Sequence, residues 1–173
     1  VLYRLNHRGA AGSEPNTGDG AGITIQVPHQ FLQKVWPNLQ EEQFPAEGSY
    51  GIGMAFLTHN AKQRKQHQQR LEQIVQQEGQ LFRGWRAVPT NNANLGETAK
   101  RGEPHIQQFI VEKGNGVGAN PLDFERKLYL IRKRAENEIG QLLGGDSFYV
   151  CSLSSRTLVY KGMLLAGQLP TYY

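Results

Sequence analysis

After Asn120–Pro121 the apolar positions Phe124, Leu128, Ile131, Ala135 and Ile139 recur at three- and four-residue steps. That is the repeat of one helix face, so an amphipathic helix opened by Asn120–Pro121 is predicted there. The Gln-rich stretch from Ala61 to Glu78 carries the same repeat more sparsely in Leu71, Ile74 and Val75, which predicts an exposed helix ended by Gly79. A shorter helix is predicted from Pro28 to Trp36, with Phe31, Leu32 and Val35 on its apolar side and Pro37 as its stop.

Strand patterns fill most of the remainder. GITIQV (22–27) alternates, Tyr50 to Leu57 reads as a buried strand, and HIQQFIVEK (105–113) is another. The segment GWRAVPTNNANLG begins strand-like and turns into a loop at Pro89. FYVCSL and RTLVYKG are two β-rich runs separated by a few small polar residues, which predicts an antiparallel hairpin. Residues 1–8 read as the last turns of a helix, with Leu2 and Leu5 on one face and Gly9 as its left-handed cap. A chain that starts inside a helix is expected to be cut from a longer one. This order of elements, with adjacent strand pairs, no repeat and no linker, favours one α+β layered domain over 1–173 rather than an alternating βαβ fold.

Composition narrows the class. At 173 residues and 38% hydrophobic content the chain can bury the core of one globular domain. No run approaches the roughly 18 apolar residues of a membrane span, and VLYRLNHRGA lacks the charged-then-apolar order of a signal peptide. Neither a membrane nor export is expected. The single Cys151 cannot close an intramolecular disulfide, which suits a reducing cytoplasm; its plain reading is a buried thiol. A net charge of +4 raises nucleic acid as a partner. The densest basic stretches, Lys62–Arg64–Lys65 and Arg126 to Arg134, instead sit in helical patterns interrupted by Gln or Glu, so they are read as solvated helix faces and no nucleic acid is expected.

The most unusual stretch is His7–Arg8–Gly9 followed by AAGSEPNTGDGAG (10–22). A glycine-rich loop beside one guanidinium can receive a carboxylate, because arginine offers a planar fork of donors and the loop adds amides. Residue chemistry alone favours a helix cap with a cationic last turn followed by an ordinary loop. Gly114 to Ala119 follows a strand, precedes a helix and matches the loose glycine pattern of dinucleotide sites, but Asn120–Pro121 delays the helix start past the point where a pyrophosphate would sit. A surface turn is the expected role. The five histidines show neither a helical i, i+4 pair nor cysteine partners, so no metal is expected. Ser152, Ser154 and Ser155 lack the elbow motif of a nucleophile and are expected to belong to a hairpin turn.

Taken together, HRGA (7–10), NTGDGAGI (16–23), VPHQF (27–31), GWRAVP (84–89), the P-x-I-Q-x-F stretch (104–109), Leu128–Tyr129–Arg132 and FYVCSLSSRTLVYKGML (148–164) resemble the N-terminal glutamine amidotransferase domain of glutamate synthase large subunits. The resemblance runs in order over nearly the whole chain. It implies a four-layer αββα sandwich of the N-terminal-nucleophile hydrolase type, incomplete at both ends. It further implies hydrolysis of L-glutamine by an N-terminal cysteine, whose α-amino group is the base, and delivery of the ammonia to make L-glutamate from 2-oxoglutarate.

On the matching positions, Arg8, Gly9 and Asp19 become the expected substrate-binding residues. Arg8 holds the glutamine carboxylate or the loop around it, and Asp19 orders the loop. The resemblance places FMN and an iron–sulfur cluster in other domains and none in this segment. Its partners are glutamine and the rest of the enzyme. Val1 stands first here, Cys151 matches a cysteine of the FYxCS strand rather than the nucleophile, and the oxyanion-hole Asn-Gly pair and the aspartate for the substrate amino group are expected beyond Tyr173. The 173 residues alone are therefore expected to be inactive. Two alternatives stay open: a noncatalytic glutamine-binding or interaction module with the same fold, and a nucleotide-binding module resting on Gly114 to Ala119.

Overall fold

In the computed structural model the chain runs β1 (Ala21–Gln26), α1 (His29–Val35), β2 (Tyr50–Leu57), α2 (Ala61–Gln77), β3 (Leu81–Ala87) and α3 (Glu97–Arg101). It continues through β4 (His105–Glu112), α4 (Pro121–Gly140), β5 (Tyr149–Ser154), β6 (Thr157–Gly162) and α5 (Leu169–Tyr172). Described are residues 4, 9–12, 14–36, 39, 41–118 and 120–173; the expected helix before Gly9, including Leu2, Leu5, His7 and Arg8, lies outside them. The chain forms two units, one of residues 1–24, 88–103 and 159–173, the other of 25–87 and 104–158.

The second unit is built on a four-stranded antiparallel sheet in the order β3-β4-β2-β5. β2 is central and pairs Ile52 with Ile110 on one side and Ser154 on the other. Helices α2 and α4 start where asparagine side chains accept otherwise unpaired amides. Asn60 Oδ1 takes those of Lys62 and Gln63 at 3.1 Å, and Asn120 Oδ1 takes that of Leu122 at 2.9 Å. The stripe Phe124, Leu128, Ile131, Ala135 and Ile139 is buried together with Leu71, Ile74 and Val75 of α2 and with Ala55, Leu57, Phe109, Val111 and Val150 of the sheet. Residues of the opposite parity, Ile52, Met54 and Ile110, are buried as well, so β2 and β4 are covered on both faces, as their continuous apolar runs require.

A local interruption shapes β3. Its register with β4 shifts between Phe82 and Gly84, and Gly84 has φ +126°, a conformation open to glycine and costly for other residues. The bulge lets Trp85 lie 5.1 Å from the Phe109 ring while its indole N–H donates to Glu72 at 2.8 Å. Phe31, expected on the apolar side of α1, is instead 46% exposed, with the Arg86 guanidinium 5.6 Å from its ring centre; Leu32 carries the burial of that helix.

The expected hairpin of FYVCSL and RTLVYKG is not formed. Both runs are strands, but β5 pairs with β2 while β6 pairs with β1 in a separate two-stranded sheet. The corner between them is fixed by side chains rather than by a hairpin ladder. Glu125 accepts from the Ser155 amide at 2.7 Å and the Ser155 hydroxyl at 2.5 Å, and Ser154 Oγ accepts from the Arg156 amide at 3.0 Å. A carboxylate on α4 thus turns the chain from one sheet to the other. No described helix is long and apolar enough to cross a membrane.

Candidate functional site

The glycine-rich loop belongs to the first unit, and its shape follows from a short antiparallel pairing closed by a side chain. Ala11 and Gly18 bridge. Gly12 donates to the Thr17 carbonyl at 2.8 Å, and Asp19 donates to the Ala10 carbonyl at 3.0 Å. The Asp19 carboxylate answers by accepting from the Ala10 amide, also at 3.0 Å. One aspartate therefore clamps the loop at Ala10. Gly18 sits so close to the Leu164 carbonyl and the Leu165 nitrogen that a β-carbon would overlap backbone, which accounts for a glycine at that position.

Below this pairing, two side chains far apart in sequence hold the loop. Glu14 is the first. Its carboxylate accepts from the Thr17 hydroxyl at 2.7 Å, from the Thr98 amide at 3.1 Å and from the Thr98 hydroxyl at 2.9 Å. Helix α3 begins at Gly96, which has no side chain with which to cap it, so a glutamate from the loop supplies the cap. These hydrogen bonds, that from Thr17 foremost, hold the Glu14 carboxyl below the usual carboxylate range.

The second is Gln168, which is buried. Its amide nitrogen donates to the Asn16 carbonyl at 3.0 Å and the Asn94 carbonyl at 2.8 Å, while its oxygen accepts from the Leu165 amide at 2.7 Å. The Asn16 carbonyl also receives the Gly96 amide at 2.9 Å. Further out, Glu103 accepts from the Tyr172 hydroxyl at 2.8 Å and the Asn92 side chain at 2.7 Å, and the Asn91 amide donates to the Tyr172 carbonyl at 2.8 Å.

Of the residues expected from sequence to meet substrate, Gly9 and Asp19 are exposed members of this loop, and Arg8 lies outside the described residues. Glu14, Thr98 and Gln168 were not among the expected residues. For Glu14 a signal existed in Gly96–Glu97–Thr98, a helix start without a capping side chain. Gln168 had none, because nothing local relates it to Asn16.

The remaining candidates separate cleanly. Cys151 is buried within β5. Gly114 donates to the Gln80 side chain at 3.0 Å and leaves no room for a β-carbon beside the Gly79 carbonyl. The first turn of α4 carries Asp123 close to Gly118, and that carboxylate would repel a pyrophosphate. Among the described residues no group of three or more His, Cys, Asp or Glu could hold a metal ion. An iron–sulfur cluster is held by at least two cysteine thiolates, and a single cysteine does not supply them.

Over residues 1–173 the chain matches the class-II glutamine amidotransferases, and it belongs to that family. Particular relatives narrow the comparison to glutamate synthases. The chain is 40% identical over its whole length to the glutamate synthase [NADPH] large chain of Bacillus subtilis, 37% to ferredoxin-dependent glutamate synthase 2 of Synechocystis, and 36% to the glutamate synthase [NADH] of Saccharomyces cerevisiae. It spans 11% of the length of the first two and 8% of the third.

Proposed function

We propose that this chain is a segment of the glutamine-hydrolysing domain of a glutamate synthase, folded as part of a four-layer αββα sandwich of the N-terminal-nucleophile hydrolase type, and that its loop from Arg8 to Gly20 is the substrate side of that site. The observation that carries this reading is the family match over all 173 residues, running through the loop that Asp19 clamps. In this reading Arg8 pairs with the α-carboxylate of glutamine through its two-pronged guanidinium, with Gly9 leaving room for the approach. Asp19 orders the loop and faces away from the substrate carboxylate, since two carboxylates at close range repel.

The nucleophile is a cysteine outside these residues. Its thiolate attacks the glutamine amide carbon, ammonia leaves, and water releases L-glutamate from the thioester. The ammonia then meets 2-oxoglutarate in another domain, where FMN and an iron–sulfur cluster supply the electron chemistry. Relatives named for NADPH, ferredoxin and NADH match this chain to a similar degree, which supports a task that precedes electron delivery. A cytoplasmic setting suits a chain whose one cysteine cannot close an intramolecular disulfide.

The test is ammonia release from glutamine, measured for the complete encoded protein and for the 173-residue polypeptide. Turnover by the complete protein alone is expected. Turnover by the 173 residues would contradict the assignment of the nucleophile. Turnover by neither would favour a noncatalytic glutamine-binding module, the reading left by a chain whose only cysteine is buried in a strand.

A further inference from the structure

We propose that Gln168 is a positioning residue for glutamine binding: it sets the height of the glycine-rich loop, and through it the affinity of the site for the substrate carboxylate. The inference rests on the reading of that loop as the substrate side. Gln168 is a buried polar side chain whose amide is spent in full on backbone, with two N–H bonds to the Asn16 and Asn94 carbonyls and one acceptor bond from the Leu165 amide. These three partners lie on three separate stretches of chain. The same residue therefore fastens the glycine loop to the Asn91–Gly96 segment and to the turn after β6.

The connection to the substrate side is short. Asn16 is followed by Thr17, which bonds to Gly12 and Glu14, then by Gly18, packed on Leu164 and Leu165, and then by Asp19, which clamps Ala10. Leu165 is both a wall for Gly18 and the donor to Gln168, so one side chain holds the loop from below and fixes the surface it rests on. Loss of the amide takes from the Asn94 carbonyl its bond to Gln168 and leaves the Asn16 carbonyl with the Gly96 amide, and the Asn16–Asp19 segment is then held less firmly. A carboxylate site depends on donors within a few tenths of an ångström of their places, so a shifted loop weakens binding while leaving the reacting groups intact.

Three variants of the complete enzyme test this. Gln168→Met keeps the length and removes all three bonds. Gln168→Glu keeps the acceptor for Leu165 and turns an oxygen toward the two carbonyls. Ile131→Val, in the core under α4, is the control for lost stability. Gln168→Met is expected to raise KM for glutamine about tenfold with kcat little changed, and to speed hydrogen exchange at Gly12, Thr17, Asp19 and Gly96. Gln168→Glu is expected to raise KM more at alkaline than at acid pH relative to wild type, because a protonated carboxyl can still serve one carbonyl. It carries the test if the methionine variant does not fold. Ile131→Val is expected to leave KM in place.

An unchanged KM in both Gln168 variants, a fall in kcat alone, or an equal KM rise in Ile131→Val would overturn the inference. If the wild-type enzyme releases no ammonia from glutamine, the functional reading fails instead, and the positioning role then stands or falls on the exchange of the four loop amides.

Discussion

The two units of this chain are held by different forces. In the sheet unit, Phe109, Leu128, Ile131 and their neighbours are fully buried, and stability comes from apolar area removed from water. In the loop unit the contacts that fix the glycine-rich segment are hydrogen bonds between side chains and backbone: the Glu14 and Asp19 carboxylates accept from the Thr98 and Ala10 amides, and the Gln168 amide donates to the Asn16 carbonyl. The contrast teaches where this fold keeps tolerance and where it keeps placement. Apolar packing accepts volume-conserving exchange, whereas a hydrogen bond placed by one side chain is lost with that side chain.

Phe109→Ala strikes the sheet unit hardest. Its ring lies at the centre of the core against Trp85, and a loss of about 3–5 kcal/mol is expected in chemical denaturation. Gly18→Ala is expected to cost about 1–3 kcal/mol, because the new methyl overlaps the Leu164 backbone. Its signature should be local: faster amide exchange at Gly12, Thr17 and Asp19 with β2 and β4 still protected. If the β2 amides open together with those of the loop, the two regions do not differ as described.

The smallest effect is a pH effect. Glu14 is held below its ordinary carboxylate value by the Thr17 hydroxyl and the Thr98 amide and hydroxyl. A depressed folded-state pKa means the stabilisation is fully present above the ordinary value of 4.5 and is lost as pH falls through the lowered one. The Thr98 amide should therefore lose protection on acidification before the β4 amides do. Replacing Glu14 by Gln should remove that dependence.

The same contrast explains what the sequence made legible. The burial stripe of α4, the anchors Leu71, Ile74 and Val75 of α2, and the bounds of β2 follow from periodicity, because apolar burial is written at fixed spacing. The pairing of β5 and β6 does not. Their short separation reads as a hairpin, whereas they join different sheets and the corner between them is held by bonds from Ser155 to Glu125, thirty residues away. The Gln-rich pattern makes His67 part of an exposed helix, yet it is fully buried, its Nε2 3.2 Å from the Leu143 carbonyl. In the loop, the glycines and Asp19 announced a tight structure, and the ordered motifs announced the family. What tightens the loop, Glu14 on Thr98 and Gln168 on Asn16, joins residues 84 and 152 positions apart, a distance at which no local pattern speaks.

In the proposed site the loop from Arg8 to Gly20 receives the carboxylate of glutamine. The most direct test is KM for glutamine in the complete enzyme with Arg8→Ala, beside a core change such as Ile131→Val. A rise of about tenfold to a hundredfold in KM is expected for the arginine variant, the scale of a lost charge-assisted bond, and none for the core variant. An unchanged KM in an Arg8→Ala enzyme that still hydrolyses glutamine would contradict it.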